Sequence, residues 1–217
     1  MTPAVERKPP GPAVRTVGRL ITWAAVHAPW SWRLLRKPVQ RFFDRLAPGW
    51  DARVGADSEA RLAPLAAALA HVDREPRRAL DIGTGTGSGA LFIARRYPEA
   101  EVLGIDLSEA MIAAANQKAA ASPSGHVRFE VADIAGFEAP DRYDLVLMLN
   151  MPPFFERVSA LVAPGGYVVS IASRGPATPF YSPATTLERG FARHGLRTVA
   201  AGGHEAATYH VAERPPA

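Results

Sequence analysis

The sequence of 217 residues contains no cysteine and only six histidines. The absence of cysteine excludes disulfide bonds, thiolate catalysis and zinc sites with Cys ligands, and it fits a reducing compartment, so we expect a cytoplasmic protein. The histidines show no close pairing suited to a metal, and we expect no metal site. Long hydrophobic runs are also absent, because no segment approaches the roughly 20 apolar residues that span a bilayer. Hydrophobic residues make up 47% of the chain, enough for one large domain with a single core.

Basic charge is concentrated at the N-terminus. Residues 1–50 contain nine Lys or Arg against two acids, whereas residues 51–217 contain sixteen against nineteen Asp or Glu. The net charge of +4 and the pI near 9.8 therefore come from the N-terminal residues, because acidic residues outnumber basic ones in the larger part of the chain. A nucleic-acid groove across that part is not expected.

The first 50 residues are predicted to form a leader followed by helices. Prolines within residues 1–12 predict a disordered leader, and residues 13–50 have the pattern of basic amphipathic helices that carry all four Trp residues. These helices are interpreted either as a lid over a ligand or as a peripheral contact with the inner face of an anionic membrane. A signal peptide is a third interpretation, because Arg15 and Arg19 precede a short apolar stretch.

Residues 77–89, which read R-R-A-L-D-I-G-T-G-T-G-S-G, predict a buried strand, a glycine loop and the start of a helix. Gly83, Gly85 and Gly87 lack Cβ atoms, so the loop can adopt positive φ and approach a ligand closely. The helix that follows presents unpaired N–H groups at its start. This loop is therefore the predicted binding site.

Asp81 lies two residues before the first of these glycines. A carboxylate there would repel a pyrophosphate, but it suits a ligand with an ammonium or sulfonium group. This favours S-adenosylmethionine over NAD. The spacing of Gly85, Gly87 and Ala90 also fits the dinucleotide motif loosely, so a NAD-dependent oxidoreductase stays as an alternative.

A second predicted strand, residues 101–106, ends in Asp106 about twenty residues beyond the glycine loop. An acid at the end of the neighbouring parallel strand can accept hydrogen bonds from both hydroxyls of a ribose. Both NAD and S-adenosylmethionine contain that ribose. A third strand, residues 127–132, is followed by Asp133 and Ile134.

The run Asp81-x-Gly83-x-Gly85-x-Gly87 resembles the first motif of class I S-adenosylmethionine-dependent methyltransferases, and the resemblance continues over about residues 43–211. The resemblance implies S-adenosylmethionine as cofactor, S-adenosylhomocysteine as product, and an acceptor that is a small molecule. It also implies that Asp133 accepts from the adenine amino group and that Trp50, in a segment with paired aromatic-Asp dipeptides, closes over the cofactor. The implied cofactor-binding residues are Asp81, Gly83, Thr84, Gly85, Gly87, Asp106, Leu107, Asp133, Ile134, Asn150 and Trp50.

Alternating strands and helices predict an α/β fold, a Rossmann-like three-layer sandwich. The resemblance implies a seven-stranded, mostly parallel sheet with an antiparallel last strand. The predicted methyltransferase domain covers residues 51–213, with a tail at 214–217. Within it, residues 163–166 predict a sharp turn before a strand, and residues 202–205 predict the connection of an antiparallel hairpin.

Residues 150–155, N-M-P-P-F-F, follow the predicted central strand. They come close to the Asn-Pro-Pro-aromatic motif of methyltransferases that act on amide or exocyclic amino nitrogens, but Met151 interrupts it, and we do not carry that chemistry over. Residues after this strand lie beside the transferable methyl in the family. The residues predicted to line an acceptor pocket are Met151, Phe154, Phe180 and Tyr181.

The predicted reaction moves the sulfonium methyl to an O, N or C nucleophile of a small, apolar or aromatic metabolite. The protein mainly contributes positioning and desolvation, so no catalytic residue is assigned. His194, His204 and Tyr181 are candidates for a general base. A non-catalytic membrane-associated module that binds a nucleoside is a further alternative.

Overall fold

The computed structural model describes residues 11–121 and 126–217. The predicted leader lies almost wholly outside the described residues. The helices are α1 Pro12–His27, α2 Trp32–Leu46, α3 Trp50–Val54, α4 Glu59–Leu69, α5 Ser88–Arg96, α6 Glu109–Ala121, α7 Phe155–Leu161 and α8 Ala184–Ala192, with short 3-10 turns at Pro29–Ser31 and Gly175–Ala177. The strands are β1 Arg78–Ile82, β2 Glu101–Asp106, β3 His126–Val131, β4 Tyr143–Leu149, β5 Val162–Ala172, β6 Arg197–His204 and β7 Ala207–Glu213.

All of these strands belong to one seven-stranded sheet with the order β3-β2-β1-β4-β5-β7-β6. The strands from β1 to β5 pair in parallel, and β7 pairs antiparallel with both β5 and β6. This confirms the predicted fold class. The strand order reverses between β1 and β4, so a crevice opens beyond their carboxyl ends, where ligands bind in open α/β sheets.

Alternate residues of β1 point to opposite faces of the sheet. Ala79 belongs to the apolar cluster on one face and Leu80 and Ile82 to the cluster on the other. Helices α4, α5 and α6 cover the first face with Leu65, Leu69, Leu91, Ile93, Ile112 and Ala115. Helices α1, α2, α7 and α8 cover the second face with Ala25, Trp32, Val158, Leu161, Leu187 and Phe191. The N-terminal helices are therefore part of the core.

The ring of Phe129, on β3, packs where two glycines leave room for it. A Cβ atom on Gly104 would lie 2.6 Å from this ring, and one on Gly87 would lie 2.7 Å from it. The absence of side chains at these two positions lets the ring fill the space between β2 and the glycine loop. The loop is thereby held against the sheet.

Two predicted connections differ from the structure. Residues 163–166 lie within β5, and the register of β5 on β4 shifts between Tyr143 and Leu145. Gly165 has φ of +73°, and its N–H donates to the carbonyl of Arg214, 2.8 Å away. The segment is therefore a hydrogen-bonded irregularity of the strand rather than a turn, and Arg214, where the predicted tail begins, is paired to it.

The predicted hairpin connection is shorter than expected. Strand β6 includes residues 202–204, so only Glu205 and Ala206 link it to β7. Glu205 has φ of +52°, the left-handed conformation that two-residue hairpin turns require. The pairing of the two strands thus extends through the glycines that were expected to break it.

We expect Gly104→Ala to destabilise the protein by about 1–3 kcal/mol, because the added methyl group overpacks the space beside Phe129. The matched control is Gly136→Ala, since a Cβ there meets no heavy atom within 4 Å. Urea unfolding measures both variants, alone and with Phe129→Leu. The smaller Leu should recover part of the loss at Gly104, and equal stability of the two alanine variants would contradict this packing argument.

Candidate functional site

The glycine loop joins β1 to α5 and takes the left-handed conformation at each of its three glycines. Gly83, Gly85 and Gly87 have φ values of +68°, +56° and +84°. The N–H of Thr84 donates to the carbonyl of Ile105 across 3.0 Å, which fastens the loop to β2. A Cβ on Gly85 would meet no heavy atom within 4 Å, so this position is open to a ligand.

Asp81 lies beneath the loop and is almost completely buried. Its Oδ2 accepts hydrogen bonds from Thr84 Oγ1 at 2.7 Å and from the N–H of Ala90 at 2.9 Å. Burial raises the pKa of the Asp81 carboxyl to about 7. The carboxyl therefore holds the loop and the start of α5 together, and its interaction with a sulfonium ligand stays a prediction.

Asp106 joins the end of β2 to the glycine loop. Its Oδ2 accepts from the N–H of Gly85 at 2.9 Å, and its Oδ1 accepts from the N–H of Ser108 at 2.9 Å. Burial raises the pKa of this carboxyl above its usual value. A carboxylate offers about four acceptor sites, so Asp106 can accept a further hydrogen bond. Leu107, the next residue, is half-buried beside it.

Asp133 follows β3 and is contacted by α2. The indole N–H of Trp32 donates to Asp133 Oδ1 across 2.8 Å, and the guanidinium of Arg36 lies 3.8 Å from Oδ2. Trp32 is buried, and its ring meets that of Phe154 edge to face, with centroids 5.1 Å apart. Ile134 belongs to the same apolar cluster as Trp32. Helix α2 thus packs against the acid that the resemblance assigns to adenine.

Asp44, also on α2, contacts the beginning of α6. Its Oδ1 accepts from Ser108 Oγ at 2.6 Å, and Ser108 Oγ in turn accepts from the N–H of Met111 at 3.1 Å. These groups satisfy N–H and O–H donors at the start of the helix, next to Asp106. Sequence reasoning noted the Phe-Asp dipeptide here but gave the Asp no role.

A second group of polar and charged side chains ties α3 and the segment after it to the glycine loop, to α5 and to α6. Lys118, on α6, lies 2.7 Å from Asp51 and 2.8 Å from Asp57. Asp51 accepts from Thr86 Oγ1, and Asp57 accepts from Ser88 Oγ at 2.6 Å. Burial opposes ionisation of Asp57, yet the hydrogen bonds from Lys118 and Ser88 lower its pKa below the usual value. Sequence reasoning gave none of these five residues a role.

Asn150 follows β4, and Trp50 is the first residue of α3. The Asn150 side chain is committed to the segment after β5, because its Nδ2 donates to Ser173 Oγ at 2.9 Å and its Oδ1 accepts from the Ser173 N–H at 2.8 Å. Its backbone has φ of +58°. The ring of Trp50 is half-buried against Phe43, with centroids 5.9 Å apart.

A cavity of about 270 Å³ lies on the second face of the sheet, at the carboxyl ends of β4 and β5. Its lining includes three of the four predicted pocket residues, Met151, Phe180 and Tyr181, and further apolar side chains. The fourth, Phe154, does not line it. His194 and His204 are not among its lining residues either, which leaves Tyr181 as the general-base candidate that borders the cavity.

His210 lines the cavity and was missed by sequence reasoning. It is 1% exposed, and burial lowers its pKa to about 4. Strand β7 is buried along most of its length, so its sequence shows no clean alternation that would separate a cavity-facing residue from the rest. Sequence patterning therefore gave no signal for this histidine.

Residues 11–121 and 126–217 contain no cluster of three or more His, Asp or Glu able to bind a metal ion. Among the helices of the same residues, none combines the length and apolarity needed to cross a bilayer.

Comparison with known proteins places residues 79–166 in a family model described as a methyltransferase domain. The chain is 32% identical over 162 residues to a demethylmenaquinone methyltransferase of Deinococcus radiodurans, covering 69% of this chain and 66% of that protein. It is 37% identical over 114 residues to a trans-aconitate 2-methyltransferase of Methylobacterium radiotolerans, covering 49% of this chain and 42% of that one. The chain thus spans less than two thirds of the length of these curated relatives.

Among solved structures, a magnesium protoporphyrin IX methyltransferase from Synechocystis with bound S-adenosylhomocysteine superposes with a TM-score of 0.66. The match covers 82% of this chain and 99% of that one at 17% sequence identity, so it shows a shared fold.

The raised pKa of Asp81 predicts a pH dependence of stability. The folded state binds this proton more tightly than the unfolded state. The protonated carboxyl therefore contributes to the free energy of unfolding below about pH 4, and this contribution is lost as the pH rises through 7. Between about pH 5 and pH 7, the free energy of unfolding of wild type should fall by on the order of 1–3 kcal/mol more than that of Asp81→Asn. Urea unfolding at several pH values measures this.

The control for that measurement is Asp141→Asn, which changes a carboxylate whose side chain is 75% exposed. Its pH profile should follow that of wild type. Parallel profiles for wild type and Asp81→Asn would show that the buried carboxyl has no such effect.

Proposed function

This chain belongs to the class I S-adenosylmethionine-dependent methyltransferases, and we propose that it transfers the sulfonium methyl to an O, N or C nucleophile of a small, apolar or aromatic molecule. The observation that carries the proposal is that the glycine loop adjoins the apolar cavity. A Cβ on Gly83 would lie 3.2 Å from Sδ of Met151, which lines that cavity. A ligand on the loop and a molecule in the cavity would therefore be neighbours.

The residues of the crevice fit S-adenosylmethionine. Gly85 leaves its ligand side open, and Asp106 at the end of β2 retains lone pairs for ribose hydroxyls. In the proposal Asp133 and Ile134 receive the adenine, with Leu107 beside them. Thr84 and the other loop residues, Asn150 and Trp50 complete the binding site. Asp81 acts from below, through the loop that it holds.

The bound cofactor supplies a methyl group made electrophilic by the positive sulfur. The protein's residues then position the acceptor and keep water out, which is the main contribution such a transfer needs. The described residues that line the cavity carry no charged side chain, and they include Met148, Ile171 and Leu187. This favours an apolar acceptor. The related proteins are named for acceptors as different as demethylmenaquinone and trans-aconitate, so they do not select one.

We propose that residues 13–50 form a lid over both ligands. Arg19 of α1 donates to the carbonyl of Tyr181 at 3.3 Å, and its guanidinium lies 5.0 Å from the centre of the Tyr181 ring. Gly18 packs so closely on Pro179 that a Cβ would lie 2.5 Å from it. Helix α1 therefore covers the loop that borders the cavity, while α2 covers Asp133.

The test is a calorimetric titration of S-adenosylmethionine, S-adenosylhomocysteine and NAD into wild type, Gly85→Ala and Gly195→Ala. Gly85 and Gly195 have φ of +56° and +79°, so both alanines cost about 1 kcal/mol or more in backbone strain. Only the methyl group added at position 85 would occupy space that the ligand needs. We expect micromolar binding of the two S-adenosyl ligands, weakened at least about tenfold by Gly85→Ala alone.

Binding of NAD without the S-adenosyl ligands would overturn the proposal in favour of an oxidoreductase. Transfer itself is measured as formation of S-adenosylhomocysteine with a panel of apolar hydroxyl, amine and carbon nucleophiles. Cofactor binding without turnover across that panel would favour a non-catalytic binding module.

We also propose that the protein is cytoplasmic and contacts the inner face of an anionic membrane through α1 and the start of α2. Large apolar side chains are unusually exposed there, from Val14 at 42% to Leu34 at 72%. The set comprises Val14, Val17, Leu20, Trp23, Trp30 and Leu34. Lys37 and Arg41 follow Leu34 on the same side of α2, one and two turns further on, and both are exposed. Exposed apolar and basic side chains together suit an anionic lipid surface.

Vesicle co-sedimentation tests this contact. Wild type should sediment with vesicles that contain phosphatidylglycerol and much less with phosphatidylcholine alone, because Lys37 and Arg41 add electrostatic attraction. Trp30→Ser with Leu34→Ser should weaken binding at least about tenfold. The matched control is Val199→Ser, which changes an exposed apolar residue on β6. Absence of sedimentation, or concentration-dependent self-association that buries the same residues, would contradict a lipid contact.

A further inference from the structure

Three residues that line the cavity each have a buried polar atom without a partner among the described residues. Ser170 Oγ, Ser182 Oγ and His210 Nδ1 have no hydrogen-bond partner in the described part of the chain, and all three residues line the same cavity. Ser170 and His210 are 7% and 1% exposed. A buried polar group without a partner costs about 1–3 kcal/mol, so three at one place point to a ligand that satisfies them.

The register of the sheet places Ser170 and His210 successively further from β1 and the glycine loop. Met148, Ser170 and His210 are direct partners on the adjacent strands β4, β5 and β7, so their side chains share one face of the sheet. Strands lie about 4.8 Å apart, so His210 is about 10 Å from Met148 across the sheet. The cavity thus has an apolar end near Met151 and the loop, and a polar end at His210.

The polar end carries no charge. Burial lowers the pKa of His210 to about 4, so its ring is neutral at physiological pH. Its Nε2 shares a hydrogen bond of 3.0 Å with Thr198 Oγ1, and its ring stacks on Phe191 at 6.0 Å. Depending on the tautomer, Nδ1 is a donor or an acceptor, and the serine hydroxyls can be either. These groups match an alcohol or a carbonyl, whereas a carboxylate would find no cation among the described lining residues.

We propose that Ser170, Ser182 and His210 bind an uncharged hydroxyl or carbonyl group of the acceptor, at the end of the cavity remote from the transferred methyl. This rests on the proposed function and adds the acceptor's chemistry to it. The acceptor is an apolar molecule that carries such a group roughly 10 Å from its reacting atom. The three side chains position the acceptor and take no part in bond making.

The experiment uses three probes that share a naphthalene ring, titrated into the protein saturated with S-adenosylhomocysteine. 2-Naphthol and 2-methylnaphthalene have the same size, and 2-naphthoate adds a charged group. Wild type should bind 2-naphthol at least about tenfold more tightly than 2-methylnaphthalene. The carboxylate should bind most weakly. His210→Phe and Ser170→Ala should each remove most of the preference for 2-naphthol while leaving the affinity for S-adenosylhomocysteine unchanged.

Ser159→Ala is the matched control, because Ser159 is also buried, its Oγ also lacks a partner among the described residues, and it does not line the cavity. It should keep the preference. Failure of wild type to bind S-adenosylhomocysteine would overturn the proposed function. Binding of S-adenosylhomocysteine with no preference for 2-naphthol, with no probe bound, or with 2-naphthoate preferred would overturn the proposal about these three residues alone. A preference retained by Ser170→Ala and His210→Phe would do the same.

Discussion

The buried carboxylate of Asp81 is the interaction on which the site depends. One of its oxygens receives donors from Thr84 in the loop and from Ala90 in α5, so strand, loop and helix meet at a single atom. Of the three left-handed glycines, Gly85 then keeps a side that no other heavy atom of the described residues approaches within 4 Å. A second carboxylate, Asp106, repeats the arrangement from the neighbouring strand, through the N–H of Gly85. Both carboxylates are costly to bury, and hydrogen bonds to the backbone offset part of that cost.

Local patterns predicted these parts of the fold well, because their causes are local. An apolar run that ends in alternating glycines can hardly form anything but a buried strand and a tight turn, and acids that follow successive parallel strands must meet at one edge of the sheet. The segment at residues 163–166 shows the limit. Its Pro-Gly-Gly sequence is typical of a turn, yet the segment pairs with Arg214, about fifty residues further along the chain. A short stretch of sequence does not reveal such a distant partner.

The rest of the candidate site also depends on contacts distant in sequence. Asp44 contacts Ser108, 64 residues further along the chain, and Trp32 contacts Asp133, 101 residues further along. The amphipathic pattern of α2 predicted a helix but could not say what it packs against. His210 lies on a strand buried on both faces, where polar and apolar positions do not alternate. Whether a buried residue lines a cavity depends on how residues from the whole chain pack together.

Helix α2 holds one further consequence. It donates to Asp133 through Trp32 and bonds the start of α6 through Asp44, and the exposed side chain of Leu34 lies on the same helix. A ligand that alters the seating of α2 on Asp133 therefore alters what the helix presents outward. By thermodynamic linkage, if a nucleoside bound at Asp133 changed the affinity of α2 for an outer partner by some factor, that partner would change the affinity for the nucleoside by the same factor. Under the proposed function, cofactor binding in the crevice and membrane contact at the outer side of α2 would therefore be coupled.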